Sequence, residues 1–115
     1  MRRVVAAVSR DVEARLRAIL PKCELRFVRT GAQLMRALDK AGCDLLIVGL
    51  HLDEWSALAA LEGVLSREQT FPVVCVRGAP SLSPPAGQNF IDLLQYADDA
   101  LGNARVRAML MRLLP

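Results

Sequence analysis

Aromatic residues make up only 4% of this chain, and there is a single histidine, His51. Phe27, Trp55, Phe71, Phe90 and Tyr96 are scattered, so no platform of stacked aromatics is available for single-stranded nucleic acid. Lysine is nearly absent, with two Lys against thirteen Arg. That skew fits the base composition of the coding DNA better than a phosphate-binding surface. The three cysteines, Cys23, Cys43 and Cys75, are odd in number and lack paired spacing, which excludes a disulfide framework and a zinc knuckle. Long apolar runs are also missing. After Arg2 and Arg3 the run is only Val4 to Val8, short of the roughly 7–15 residues of an export signal. The run from Leu45 to Leu52 is broken by His51, and a spanning helix needs ~20 apolar residues. These absences predict a cytoplasmic, reducing-compartment protein with no membrane association.

What is present is a core. The 115 residues are 53% hydrophobic and 23% charged, and the mean hydropathy is +0.28. Disorder needs the opposite balance. The length predicts one domain over residues 1–115, able to bury roughly two-thirds of its unfolded surface. There is no linker, repeat or low-complexity tract. The net charge of +3 is not concentrated, because arginines alternate with acids, as in Arg10-Asp11-Val12-Glu13-Ala14-Arg15. A basic stripe for DNA or RNA is therefore not expected.

The apolar period switches between strand and helix along the chain. Val4 to Val8 is a continuous β-branched and small run, which predicts a strand buried on both faces. Ser9 is placed to cap the following helix, with Asp11 and Glu13 in its first turn and Val12, Leu16, Ile19 and Leu20 at helical spacing before Pro21. Leu25, Phe27 and Val28, mixed with charges, predict an edge strand. Thr30-Gly31 opens a second helix carrying Leu34, Met35, Leu38 and Ala41, with Gly42 after its end. Cys43 to Gly49 predicts a central strand, and Asp53 or Glu54 begins a helix through Leu65. Pro72 to Val76 predicts a fourth strand, and the Pro- and Ser-rich stretch from Ala79 to Gly87 a loop. Phe90, Ile91 and Leu94 suggest a short helix, Ala100-Leu101 a fifth strand, and Val106, Met109, Leu110 and Leu113 a last amphipathic helix. Such alternation implies an α/β, flavodoxin-like five-stranded parallel sheet, order 2-1-3-4-5, with helices on both faces.

In this architecture ligands bind outside the carboxyl ends of the strands. Those ends are Ser9 and Arg10, then Gly49 and Leu50, then Arg77 and Gly78, and last Gly102 and Asn103. The whole chain resembles the CheY-like receiver domain of bacterial two-component response regulators. Asp44-Leu45-Leu46-Ile47-Val48-Gly49 is similar to that family's third strand, which ends in the phosphoacceptor aspartate. Pro72 to Val76 is similar to its fourth strand, and Ala97-Asp98-Asp99-Ala100-Leu101-Gly102-Asn103-Ala104 to its A-D-D-Y-L-x-K-P element.

Against that resemblance, the chemistry is missing. Gly49 stands where the family places the aspartate. Ser9 and Arg10 stand where it places two acids that hold Mg²⁺, a cation that needs carboxylate oxygens. Arg77 stands in place of the Ser or Thr that reads the phosphoryl group, Asn103 in place of the lysine, Ala104 in place of the proline and Ala100 in place of the aromatic switch residue. The resemblance thus implies a degenerate, pseudo-receiver form with no cofactor, no metal and no enzymatic activity. Asp53 is the nearest spare acceptor, but Asp53 and Glu54 are more simply the cap of their own helix. The cysteines read as small core hydrophobes, His51 as a loop residue, and Trp55 as packed on its own helix.

Two function classes follow, with nucleic-acid binding a less favoured third that a steep salt dependence would reveal. The first is a phosphorylation-independent signalling adaptor that works through a protein partner of a bacterial system or a second copy of itself. The resemblance places its contact face on the fourth helix, the fifth strand and the last helix, with Tyr96, Leu101, Arg105, Met109 and Arg112 as candidates. The leucines Leu110, Leu113 and Leu114 could serve the same face or simply pack on the sheet. The second is a small-anion or nucleotide sensor in which Arg10 and Arg77 converge on the former acid pocket.

Overall fold

A computed structural model describes residues 1–40, 42–49, 63, 71–77 and 89–114. The helix expected after Asp53, the loop from Ala79 to Gly87, and His51, Asp53, Glu54 and Trp55 lie outside the described residues.

Five parallel strands form one sheet: β1 (Arg3–Ala7), β2 (Glu24–Phe27), β3 (Leu45–Gly49), β4 (Val73–Arg77) and β5 (Asn89–Asp92). Their order is β2-β1-β3-β4-β5, the expected flavodoxin-like arrangement. The central strands are apolar almost throughout and are buried on both faces, as covered parallel strands must be. The period of two sorts their side chains. Val4, Ala6, Leu45, Ile47, Val74, Val76 and Ile91 face one core, while Val5, Ala7, Leu46, Val48, Val73 and Cys75 face the other.

Helix α1 (Arg10–Ile19) packs on the first core through Val12, Leu16 and Ile19, spaced at i, i+4 and i+7. Helix α3 (Ala100–Leu113) joins it there with Val106 and Leu110 fully buried. Helix α2 (Gly31–Lys40) covers the second core with Leu34 and Ala37. Ser9 is indeed the N-cap of α1, but its side chain makes no capping bond; its carbonyl accepts from the Glu13 N–H at 2.9 Å. Thr30 does cap α2 with its hydroxyl, accepting from Gln33 N–H at 3.1 Å. Gly42 follows α2 at φ +64°, a left-handed conformation that a side chain would strain.

The fifth strand is not where the sequence pattern places it. Residues 89–92 are extended, Leu93–Gln95 form a single 3₁₀ turn, and Ala100-Leu101 open α3 instead. Two caps explain the shift. Asp99 accepts from Gly102 N–H at 2.8 Å and so starts a helix at Ala100. Asp92 accepts from Leu94 N–H at 3.1 Å and ends the strand by starting the 3₁₀ turn. A four-residue edge strand with only Ile91 and Asp92 buried leaves no alternation to read.

Candidate site at the carboxyl ends of the strands

The structure brings Ser9, Arg10, Gly49 and Arg77 to one edge of the sheet, the end at which β1, β3 and β4 finish. Gly49 is buried, and a Cβ there would stand 3.3 Å from the Val8 Cα and 3.5 Å from the Ala7 carbonyl oxygen. The third strand is thus packed against β1 at the very position where a phosphoacceptor would need a side chain. Ser9 is half-buried and Arg10 is exposed at the first position of α1. A hydroxyl and a guanidinium do not fit a hard divalent cation, which takes carboxylate oxygens. Among the described residues no cluster of three or more His, Cys, Asp or Glu could hold a metal ion.

Asn103 does not belong to this edge. It lies in the first turn of α3, 7% exposed, where its Oδ1 accepts from Arg15 Nε at 3.4 Å and its Nδ2 donates to Asp98 Oδ1 at 3.5 Å. The expectation fails because the apolar pattern puts the fifth strand too late in the chain. The residue that does close strand five is Asp92, in direct register with Arg77. The Arg77 guanidinium donates to the Asp92 carboxylate, forming an ion pair in which the arginine side chain is about one-third exposed and the aspartate almost buried. An acid on β5 and a cation on β4 therefore neutralise one another across the edge.

This pair rearranges the electrostatics expected of Arg77. Its charge is engaged by a neighbour in the sheet, Asp92. Donation from Arg77 holds the Asp92 carboxyl below the usual carboxylate range, outweighing partial burial, with the Leu94 N–H helping. The sign follows. A carboxyl with a lowered native pKa stabilises the fold at pH values above its ordinary 3.8 and loses that contribution as pH falls through the native value. Asp92→Asn is expected to be less stable than the parent at neutral pH, with the gap closing below about pH 3.8. Denaturant titrations across that range check this, and a gap independent of pH would contradict it.

A second feature is not foreseen by the strand-end reading. Arg15 of α1 is 12% exposed and reaches across to the segment between β5 and α3. Its Nη1 donates to the Leu93 carbonyl at 2.7 Å, and its Nη2 to the carbonyls of Tyr96 at 2.7 Å and Ala97 at 3.0 Å. Asp98 lies 3.8 Å from its Nε. Arg107 of α3 makes the return contact, donating to the Ile19 and Ala18 carbonyls at the end of α1, where a cation also complements the helix dipole. A signal for Arg15 was present in the sequence. It sits inside the apolar stripe Val12, Leu16, Ile19, where a charged residue is anomalous unless bonded.

The candidate contact residues separate into two groups. Leu101 is 65% exposed, and Arg105 and Arg112 are exposed on the same helix. Tyr96 and Met109 are half-buried and touch each other, the Tyr96 hydroxyl donating to the Met109 Sδ at 3.6 Å. A depression of about 110 Å³ lies beside Tyr96, lined by Ala97, Asp99, Leu101 and Arg105 among others. Leu110 is fully buried and Leu113 and Leu114 pack on the core, so these leucines face the sheet. Burial pushes the Cys43 thiol up to about 11 and raises that of Cys75 as well, which disfavours the reactive thiolate at both.

Comparison with solved structures decides the architecture. Over 99% of this chain and all of the other, the structure superposes with a TM-score of 0.74 on the response regulator protein TrrA from Thermotoga maritima in complex with Mg²⁺-BeF, at 13% identity. The chain has the CheY-like receiver fold. The same regulator in complex with the histidine kinase ThkA matches over the full length of both chains, with TM-score 0.73 and 11% identity. The Vibrio cholerae chemotaxis protein CheY4 matches over 99% of each chain, with TM-score 0.72 and 14% identity. No protein-family model matches the receiver-fold chain, and no curated protein matches it by sequence.

Proposed function

We propose that this receiver-fold chain is a bacterial, cytoplasmic signalling domain that acts by protein–protein contact and without phosphoryl transfer. The observation that carries the reading is the make-up of the strand ends. Gly49 closes β3 against Val8, Ser9 and Arg10 follow β1, and Arg77 is locked to Asp92. Phosphorylation of an ordinary receiver shifts a balance between two conformations, and a ligand can shift such a balance only by binding the two states differently. With no acceptor at Gly49 and no carboxylate pair at Ser9 and Arg10, the bias must come from a partner.

The likeness to a regulator solved in complex with a histidine kinase supports a protein partner from a signalling system. The face that such a partner, or a second copy, would meet carries Leu101 and Arg105 at the depression beside Tyr96, with Arg112 exposed farther along the same helix. Exposed apolar and arginine residues together suit an interface. No helix among the described residues is long and apolar enough to cross a membrane. An enzymatic role finds no support at the strand ends, where Ser9, Arg10, Gly49 and Arg77 supply no paired nucleophile and base.

The test uses acetyl phosphate with Mg²⁺ and intact mass spectrometry. The expected mass is unchanged. A phosphoryl adduct that disappears in Asp53→Ala would show that an acid outside the strand ends accepts the group, and would overturn the reading.

A further inference from the structure

A concave surface that carries one sign of charge lies elsewhere. A cleft of about 340 Å³ opens between the outer edge of β2 and α2, lined by Arg26, Phe27, Val28, Arg29, Gln33 and Arg36. Among the described residues no acid lines it. We propose that this cleft binds a small phosphorylated anion of the size of pyrophosphate or a nucleotide's phosphate chain.

Three observations carry the proposal. The first is charge. Arg29 is neutralised by Glu13, whose carboxylate it meets at 2.9 and 3.0 Å. Arg26 and Arg36 have no ion-pair partner among the described residues, so two guanidinium groups, one on β2 and one on α2, remain in excess across one cleft. Guanidinium forks match phosphate oxygens better than they match simple halides.

The second is how the wall is held. Gln33 and Arg36 fall at i and i+3 and so share one side of α2, and Arg29 precedes that helix by two residues. The Arg29 N–H donates to Gln33 Oε1 at 2.7 Å, which fixes that amide with its oxygen turned to the backbone and its NH₂ left as a donor. The Glu13 pair holds Arg29 itself, so the wall keeps its shape without a ligand.

The third is the strand edge. β2 is the terminal strand of the sheet, and Glu24 and Val28 give their N–H groups to the Arg2 and Ala6 carbonyls of the β1 side, at 2.8 and 3.0 Å. In a parallel ladder the alternate residues then point their N–H groups the other way. The Phe27 N–H is thus directed out of the open edge beside the cleft. Main-chain donor, amide donor and two guanidiniums without ion-pair partners together form an anion cradle at the carboxyl end of a strand, the end at which doubly wound sheets bind ligands. The anion-binding arginines are then Arg26 and Arg36, not Arg10 and Arg77.

The experiment is titration of the ¹⁵N-labelled chain with inorganic pyrophosphate, followed through its amide spectrum. Saturable shifts are expected at Phe27, Val28, Gly31 and Gln33. The double variant Arg26→Gln, Arg36→Gln, altered only at the cleft wall and expected to melt with the parent, should bind at least about tenfold more weakly. Equal binding by the double variant overturns the proposal. So do shifts confined to Ser9, Arg10 and Arg77, and so does a response to a single-stranded oligonucleotide with none to pyrophosphate, which would make the cleft part of a polyanion surface.

Discussion

Replacing Arg15 by alanine is expected to destabilise the protein by about 3 to 5 kcal/mol, a very large effect for a single change. The side chain spans three main-chain carbonyls, those of Leu93, Tyr96 and Ala97. Loss of the bonds to Leu93 and Tyr96 strands two acceptors in partly buried places, at about 1–3 kcal/mol each, while the Ala97 carbonyl is exposed to water. The segment thus held joins the last strand to the last helix, so its release also loosens the packing of α3 on α1. Arg15→Lys should recover only part of the loss, because one ammonium cannot reach three carbonyls in the fan that a guanidinium spans. Denaturant unfolding of both variants checks this. Stability of Arg15→Ala within about 0.5 kcal/mol of the parent, the range of an ordinary surface change, would mean that the clamp contributes little.

The second large effect has a sign opposite to simple propensity. Gly102 lies in the first turn of α3, and exchanging glycine for alanine in a helix ordinarily gains about 1 kcal/mol. Here a Cβ would fall 1.8 Å from the Ala97 carbonyl oxygen, 2.8 Å from its carbonyl carbon and 2.9 Å from its nitrogen. Those are backbone atoms, and the carbonyl is further fixed by Arg15. Relief requires moving the start of α3, where Asp99 caps the Gly102 N–H. Gly102→Ala is therefore expected to destabilise by about 3 kcal/mol or more, as severe overpacking does. It should be non-additive with Arg15→Ala, since both act on Ala97. Thermal melts of the single and double variants test both points. A stabilised Gly102→Ala would contradict the geometry.

Much of the fold was legible because the central strands are buried on both faces. Val4 to Ala7, Leu45 to Gly49 and Val73 to Val76 are apolar without interruption, and no helix of such a chain would read that way at so short a length. Proline and glycine punctuation then set the helices between them. The fifth strand is hidden from the pattern because an edge strand buries only half its residues, and Phe90, 38% exposed, has no alternating partner. The caps at Asp92 and Asp99 were the available signals, since each aspartate sits two or three residues before the N–H it accepts.

The site was legible in a different way. Three of its strand ends could be named from sequence, because a strand's last residue follows directly from the apolar run. Asp92 could not, because its position depends on the hidden strand, and the Asn103 assignment failed with it. Neither Arg15 nor the Glu13–Arg29 pair could be assigned partners, since each joins residues that only the folded chain brings together, the Arg15 contacts being 78 to 88 residues apart. Sequence patterns report burial along one element. They do not report which carbonyl a long side chain will reach.

The central claim is that the strand ends no longer respond to a phosphoryl group. Its most direct test is the amide spectrum of the chain before and after Mg²⁺ with beryllofluoride. The expected result is no movement of Ser9, Arg10, Gly49, Arg77 or Asp92. Saturable shifts at those residues that require both Mg²⁺ and beryllofluoride would contradict it, and would return this protein to the phosphorylated receivers.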